Sequence, residues 1–279
     1  LKLRASYGEL PNQLAPTDVI TSATQYPYIA TMPTSSVSYL FNSIPGVAVG
    51  TPGLISPTFT WERVQTKNFG LDYALLDERL SGSFDYFITD TKDMVVSSQQ
   101  LPAVLGTTAP PTNSADLRTK GWEFSLSWND RLFDKKLQYS VTLGLSDNTS
   151  TITRYSGNPT YSLSDHYPGE KLGSIWGYTT EGFYKTDQEA AAVDNSYLAG
   201  YTWLAGDLKY ADLNHDGKIN NGANTVPDHG DMKILGYNTP RYKIGFNLSL
   251  SYKGFDFTTF IQGVLKNDFS PTGNSVFNA

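Results

Sequence analysis

The stretch Asp212-Leu213-Asn214-His215-Asp216-Gly217 carries the sharpest chemical pattern in this 279-residue sequence. Three oxygen-bearing side chains at alternate positions, followed by glycine, form the first half of an EF-hand-type calcium loop. The spacing lets Asp212, Asn214 and Asp216 converge on one hard cation, while Gly217 permits the sharp turn. Lys218 would add its backbone carbonyl, and Asn220 could reach directly or through water. The twelfth loop position is Ala223, so the bidentate glutamate is missing, and Asp228 or Asp231 would have to substitute from the following turn. Two readings stay open. One is a structural calcium site on Asp212, Asn214, Asp216, Lys218 and Asp231; the other is a metal-free, Asx-rich surface turn.

Other reactive groups are less ordered. His166, His215 and His229 lie in the same region, but their spacing matches no common zinc pattern, and they read as surface histidines. Carboxylate pairs such as Asp77-Glu78, or Asp207 with Asp212, suit a glycosidase in principle. With 27 acidic residues present, such pairs arise by chance. No Gly-x-Ser-x-Gly, Walker loop or Gly-x-Gly-x-x-Gly stands in a strand-to-helix setting. No catalytic residue and no organic cofactor is expected, and an enzyme is the remotest reading. Between the periodic segments lie Tyr26, Tyr28, Tyr39, Phe41, Trp61, Tyr155, Tyr161, Tyr167, Trp176, Tyr178, Tyr197, Tyr201 and Trp203. Their ring faces could stack on sugars or clamp peptides, or could build the small cores that large loops need.

The elements that must position these groups are strands. Aromatic residues make up 13% of the chain and charged residues only 17%, against about a quarter in an average soluble domain. A net charge of −6 argues against nucleic acid, whose phosphates demand a basic face. The absence of cysteine excludes disulfides, thiolate metal sites and a cysteine nucleophile. No apolar run is long enough for a transmembrane helix, although barrel strands would leave no such run. No leader peptide precedes Leu1, and a start within a longer protein is the expectation.

Seven segments alternate with period two: Leu1–Tyr7, Phe69–Leu75, Leu80–Thr89, Trp122–Trp128, Leu137–Ser146, Ile244–Tyr252 and Phe255–Gln262. Leu137, Tyr139, Val141, Leu143 and Leu145, for example, oppose Gln138, Ser140, Thr142, Gly144 and Ser146. Connections after the second, fourth and sixth segments are short; the others are long, including Asp147 to Pro240. Turns at one end and large loops at the other are the mark of up-and-down barrels in outer membranes. Tyr7, Trp128, Tyr242 and Tyr252, near strand ends, suit interfacial girdles. Gln188–Ala192 predicts one short exposed helix.

Specific motifs then resemble a known family. Leu54-Ile55-Ser56-Pro57, Trp61-Glu62, Thr66–Asp72, Gly82–Phe87, Asp90–Met94, Leu101–Gly106, Asn113 and Leu117–Glu123 follow in order and at family spacing. Gly173–Tyr178, Asp207–Tyr210, Asp212–Ile219, Gly230-Asp231, Ile234–Gly236 and Thr239–Tyr242 continue the series. Over essentially the whole chain they resemble SusC/RagA-like TonB-dependent transporters of Bacteroidetes. That resemblance implies a barrel of about 22 strands around an N-terminal plug, energised by the TonB complex and capped by a SusD-like surface lipoprotein. It implies import of a bulky glycan or peptide across the outer membrane.

The expectation is therefore an all-β fold: an antiparallel, up-and-down transmembrane β-barrel segment of about seven strands. Residues 1–279 would form part of the barrel wall, lacking plug, TonB box and last strands, and 147–240 a long extracellular loop with the Asp-rich turn. Lipid would contact the apolar flank. The alternative is a secreted β-rich carbohydrate-binding module with a calcium-stabilised loop, which would stay soluble and monomeric without detergent.

Overall fold

Alternation of apolar and polar residues becomes a continuous antiparallel sheet in the computed structural model, which describes residues 1–12, 29–41, 44–96, 104, 109–134, 136–198 and 200–270. The chain forms β1 (Lys2–Asn12), β2 (Thr34–Phe41), β3 (Ile44–Val49), β4 (Glu62–Leu75), β5 (Leu80–Val96), β6 (Thr112–Leu132) and β7 (Leu137–Tyr155). It continues through β8 (Ser174–Tyr178), β9 (Thr180–Phe183), helix α1 (Asp187–Ala191), β10 (Leu208–Tyr210), β11 (Met232–Tyr237), β12 (Arg241–Tyr252) and β13 (Phe255–Lys266). Seven strands make the main sheet, in the order β1-β4-β5-β6-β7-β12-β13. They are the seven read from the alternation. The remaining strands pair as β2-β3, β8-β11 and β9-β10 within the long connections.

The sheet is one layer thick. Leu3, Phe69, Phe84, Phe257 and Ile261 on its apolar side are exposed, Leu3 to 80% and Phe69 to 55%. A soluble sandwich would bury this side against a second sheet. Here no described element covers it, as a lipid-facing wall requires. The opposite face carries hydroxyls paired across strands, Ser127 with Thr142 at 3.0 Å and Thr119 with Ser150 at 2.7 Å. It also carries an ion-pair cluster: Arg4 on β1 bonds Asp72 on β4 and Asp85 on β5, each at 2.8 Å. Arg4 lies opposite Gly70, and Gly70 opposite Asp85. A Cβ on Gly70 would stand 2.5 Å from Asp85 Oδ1 and 2.8 Å from Arg4 Cζ. The missing side chain is the opening through which the guanidinium crosses an entire strand.

Three strands run well past the alternating segments. β5, β6 and β7 hold 17, 21 and 19 residues, while about 9–11 suffice to cross a bilayer. At about 3.4 Å per residue, β6 is roughly 70 Å long. The connections read as starting at Thr91 and Asp147, and as ending at Gln65 and Thr119, therefore begin and end inside the sheet. Past the bilayer both faces meet water and the alternation lapses, so pairing there depends on polar contacts. Arg154 bonds Asp93 at 2.9 Å and Asp116 at 2.7 Å, and Arg63 bonds Asp93 at 2.6 Å. Glu62, only 5% exposed, accepts the Val95 amide at 3.3 Å and the Asn12 side chain at 3.0 Å. Beyond Asp147, where β12 no longer accompanies β7, residues 169–172 take its place: Ile152 N donates to Glu170 O, and Leu172 N to Ser150 O.

Candidate functional site

The loop from 156 to 240 folds around its own small core, in which Tyr184, Ala190 and Ile219 are all but fully buried. Helix α1 starts with a variant of the capping box: Glu189 N donates to Thr186 Oγ1 at 3.1 Å, and the amide one residue before the cap, Lys185 N, donates to Glu189 Oε2 at 2.9 Å. Lys209 on β10 then bonds Glu189 Oε1 at 2.9 Å. The amide of Lys185, with the Lys209 ammonium second, holds the Glu189 carboxyl below the usual carboxylate range. Buried Asn195 donates to Tyr184 Oη at 3.0 Å, fastening the segment after the helix to the core.

The Asp-rich turn lies against this core. Asp194 N donates to Gly217 O, and Ile219 N to Asp194 O, both at 2.9 Å. Asp212 accepts the amides of Asp216 at 3.3 Å and Gly217 at 2.9 Å; Asn214 accepts Asp216 N at 3.1 Å, and Asp216 accepts Lys218 N at 2.8 Å. Gly217 takes a φ of 77°, as the sharp turn requires. Oxygens of Asp212 and Asn214 thus converge on one amide, with Asp216 beside them. Asp231 is completely buried behind the turn, its two oxygens accepting the amides of Leu213 at 2.8 Å and Asn220 at 2.9 Å. Asp228 accepts the Ala223 amide at 3.1 Å. Among the described residues no three His, Cys, Asp or Glu side chains group as a metal site would require. A cation here would draw on two carboxylates, one amide oxygen and a carbonyl, a hard-oxygen set that suits calcium and not zinc.

The histidines stay apart. His166 pairs with Glu170 at 3.0 Å, His215 is exposed, and His229 packs on Trp176 with ring centroids 5.4 Å apart. Asp77 and Glu78 sit in the β4–β5 turn with positive φ, and Asp207 accepts the Leu204 amide within its own turn.

The loop aromatics divide into two groups. Tyr167 is 6% exposed and accepts the Trp176 indole at 3.1 Å, and burial, with Tyr197 and Asp231 nearby, pushes the Tyr178 phenol up to about 12. These rings build the loop. Tyr201 and Trp203 instead stack on each other, 5.2 Å apart and tilted by 23°, and Trp203 meets Tyr210 edge-on at 6.1 Å. With Asp194, Asn195, Asp216 and Lys218 they line a cleft of about 650 Å³. Tyr201 is 60% exposed, and the Trp203 indole nitrogen is buried without a partner among the described residues. Sequence reasoning named both rings but had no means of joining them to the Asp-rich turn, because that proximity arises only from the loop's own folding, in which Asp194 bonds Gly217 and Ile219. Tyr26 and Tyr28, and residues 101–103 and 105–106 of one resemblance motif, lie outside the described residues.

A second polar surface lies on the sheet's hydroxyl-rich face. Asp85, Glu123, Ser146 and Lys243 stand opposite one another in succession across β5, β6, β7 and β12. With Gln262 and Phe260 they line a depression of about 410 Å³. Carboxylates, hydroxyls and an ammonium in one row can hydrogen-bond a polar solute but offer no activated nucleophile.

Comparison with known proteins agrees with this architecture. The family described as "TonB dependent receptor-like, beta-barrel" matches residues 1–274. TonB-dependent receptor P3 of Formosa agariphila is 31% identical over 216 residues, covering 72% of this chain and 20% of the relative. TonB-dependent receptor SusC of Bacteroides thetaiotaomicron is 24% identical over 232 residues, covering 77% of this chain and 20% of that protein. The structure of the RagAB peptide importer in its "open-open" state superposes with a TM-score of 0.64 at 18% identity, over 92% of this chain and 25% of that one. This chain thus spans about a fifth to a quarter of the length of the proteins it matches. With seven antiparallel strands, an uncovered apolar face and a match along almost its whole length, the chain belongs to the TonB-dependent receptor-like β-barrel family of the bacterial outer membrane.

Proposed function

We propose that the protein containing this chain imports a bulky polar nutrient across the outer membrane, in a TonB-dependent cycle, and that the nutrient is a glycan. This segment supplies barrel wall and external loop. The carrying observation is the cleft beside the stacked Tyr201 and Trp203, rimmed by Asp194, Asn195 and Asp216. Ring faces suit the apolar faces of sugars, and the exposed carboxylates of Asp194 and Asp216 suit their hydroxyls, while buried Asn195 is committed to Tyr184. No residue of this segment is asked to make or break a covalent bond. A peptide is the second reading, favoured by the shared fold of the RagAB peptide importer. The proposed partners are a SusD-like surface lipoprotein over the loops and the TonB complex on the periplasmic side.

The test is binding of oligosaccharide and peptide collections to the full-length receptor with its lipoprotein, by calorimetry. We expect oligosaccharides to bind, and Tyr201→Ala or Trp203→Ala to weaken them by about 0.5–1.5 kcal/mol beyond the lost contact area. Peptide binding with no oligosaccharide response sinks the glycan reading.

For the Asp-rich turn we propose a structural calcium ion held by Asp212, Asn214, Asp216 and the Lys218 carbonyl, with Asp231 fastening both ends of the turn. The meeting of Asp212 and Asn214 oxygens on one amide, with the Asp216 carboxylate adjacent through its bond from the Asn214 side chain, supports it. The ion would stiffen the wall of the cleft that Asp216 and Lys218 line.

A further inference from the structure

Strand register places the residues of the lipid-facing side in rows. Phe69, Tyr86, Trp122 and Asp147 stand opposite one another in one row. In the next row outward stand Lys67, Ile88, Lys120 and Thr149. The row beyond holds Asp90, Arg118 and Thr151, and Lys171 lies opposite Thr151 through the added segment 169–172. Successive rows are about 7 Å apart along the strands. The last apolar residue before the charged rows is Phe69 on β4, Ile88 on β5, Trp122 on β6 and Leu145 on β7, so the boundary steps down one row per strand from β5 to β7. A horizontal bilayer surface crossing tilted strands produces that slope.

Just outside this boundary the charges are uneven. Asp90 is engaged by Arg118 at 2.6 Å, and Asp147 by Arg241 at 2.5 Å. Among the described residues, no carboxylate lies within ion-pair distance of Lys67, Lys120 or Lys171, and all three are exposed. Lys171 has only the face of Tyr237, 5.9 Å away. On a chain of net charge −6, these cations gather on the side that meets lipid, at headgroup height. A groove of about 430 Å³ starts at Tyr86, Trp122 and Asp147, whose charge Arg241 pairs, and rises between Arg118, Lys120 and Lys171 past Thr149 and Thr151.

We propose that this groove binds the phosphorylated headgroup of an outer-leaflet glycolipid, with Lys120 and Lys171 as phosphate ligands and Arg118, itself paired with Asp90, beside them. Lysine ammonium groups pair with phosphate as point charges, and threonine hydroxyls donate to its remaining oxygens. The acyl chains continue downward over Tyr86, Trp122, Phe84 and Phe124, so cationic and apolar surfaces meet in the order that an anionic amphiphile presents. The inference rests on the outer-membrane placement and is independent of the nutrient.

The test uses full-length receptor purified in detergent, stripped of lipid and titrated with lipopolysaccharide, with the same lipid after phosphatase treatment, and with inorganic phosphate. Native mass spectrometry reads occupancy. Intact lipid should bind, and Lys120→Gln with Lys171→Gln should weaken it about fivefold per lysine removed. Dephosphorylated lipid should bind the unmodified receptor as weakly as intact lipid binds the double variant. Lys120→Arg with Lys171→Arg should keep binding, and retained folded electrophoretic mobility of the glutamine variant shows that its wall still folds. Equal binding of dephosphorylated lipid, or unchanged binding by the glutamine variant, overturns the proposal. Inorganic phosphate competing at the affinity of the lipid does so as well, because the ligand is then a free anion. Retained nutrient binding by the glutamine variant separates this outcome from failure of the transport reading.

Discussion

Arg4 on β1 reaches Asp85 on β5 across the whole width of β4, at 2.8 Å, through the space that Gly70 leaves empty. Two strands that share no backbone hydrogen bond are thereby tied on the face away from lipid. Gly70→Val should fill that space and push the guanidinium off Asp85. Both crowded atoms are ends of flexible side chains, so the sheet should survive with overpacking of about 1–3 kcal/mol. In the full-length receptor the check is the temperature at which the barrel loses its folded electrophoretic mobility. An unchanged temperature would mean that the cross-strand pair contributes nothing.

The two faces should respond oppositely to charge. Leu143 and Thr142 are neighbours on β7, near the middle of the apolar band, and face opposite sides of the sheet. Leu143→Arg places a cation in hydrocarbon and should cost about 2–4 kcal/mol, whereas Thr142→Arg faces water and should fold normally. Folded yield in outer-membrane fractions reads both. The reverse ranking would place lipid on the hydroxyl-rich side.

Calcium at the Asp-rich turn makes two separable predictions. Millimolar calcium should slow proteolysis of the 156–240 loop, and a chelator should reverse this; at a hundred times Kd the ion would stabilise the loop by about 2.7 kcal/mol. Asp212→Asn with Asp216→Asn should abolish the response. Asp231→Ala should loosen the loop even without calcium, because it removes a fully buried carboxylate that bonds the amides of Leu213 and Asn220, at about 1–3 kcal/mol. Proteolysis that ignores calcium in every variant leaves the turn as an Asx-rich fold element.

Acid should open the same loop at α1. Glu189 is held below its ordinary value by the Lys185 amide and by Lys209. Its contribution is complete above the pKa of an unfolded glutamate, about 4.3, and is lost as pH falls through the lower folded value. Protease sensitivity near the helix should rise on acidification through that range, and Glu189→Gln should remove that portion of the pH dependence. An identical profile in the variant would place the acid-sensitive group elsewhere.

Much of this was legible from residue order. Period two located all seven strands of the main sheet, and Gln188–Ala192 located the one α-helix among the described residues to within a residue. The strand ends were not legible, because pattern disappears where both faces are wet. Residues 148–155 read as loop, yet they remain in β7, held by the Arg154 network and by segment 169–172. The small loop sheets were hidden for a related reason: strands as short as the three residues of β10 carry too few positions to show a period.

Residue order by itself determined that this protein is a sheet with one greasy and one hydroxyl-rich flank, since side chains two apart must share a side. Only tertiary structure decided which residues stand side by side. Lys120 and Lys171 are 51 positions apart by number, and Tyr201 and Asp216 are separated by strand β10 and a turn; register and loop packing bring each pair to one groove. Such pairings depend on hydrogen-bond register between distant segments, and no local pattern of residues encodes it.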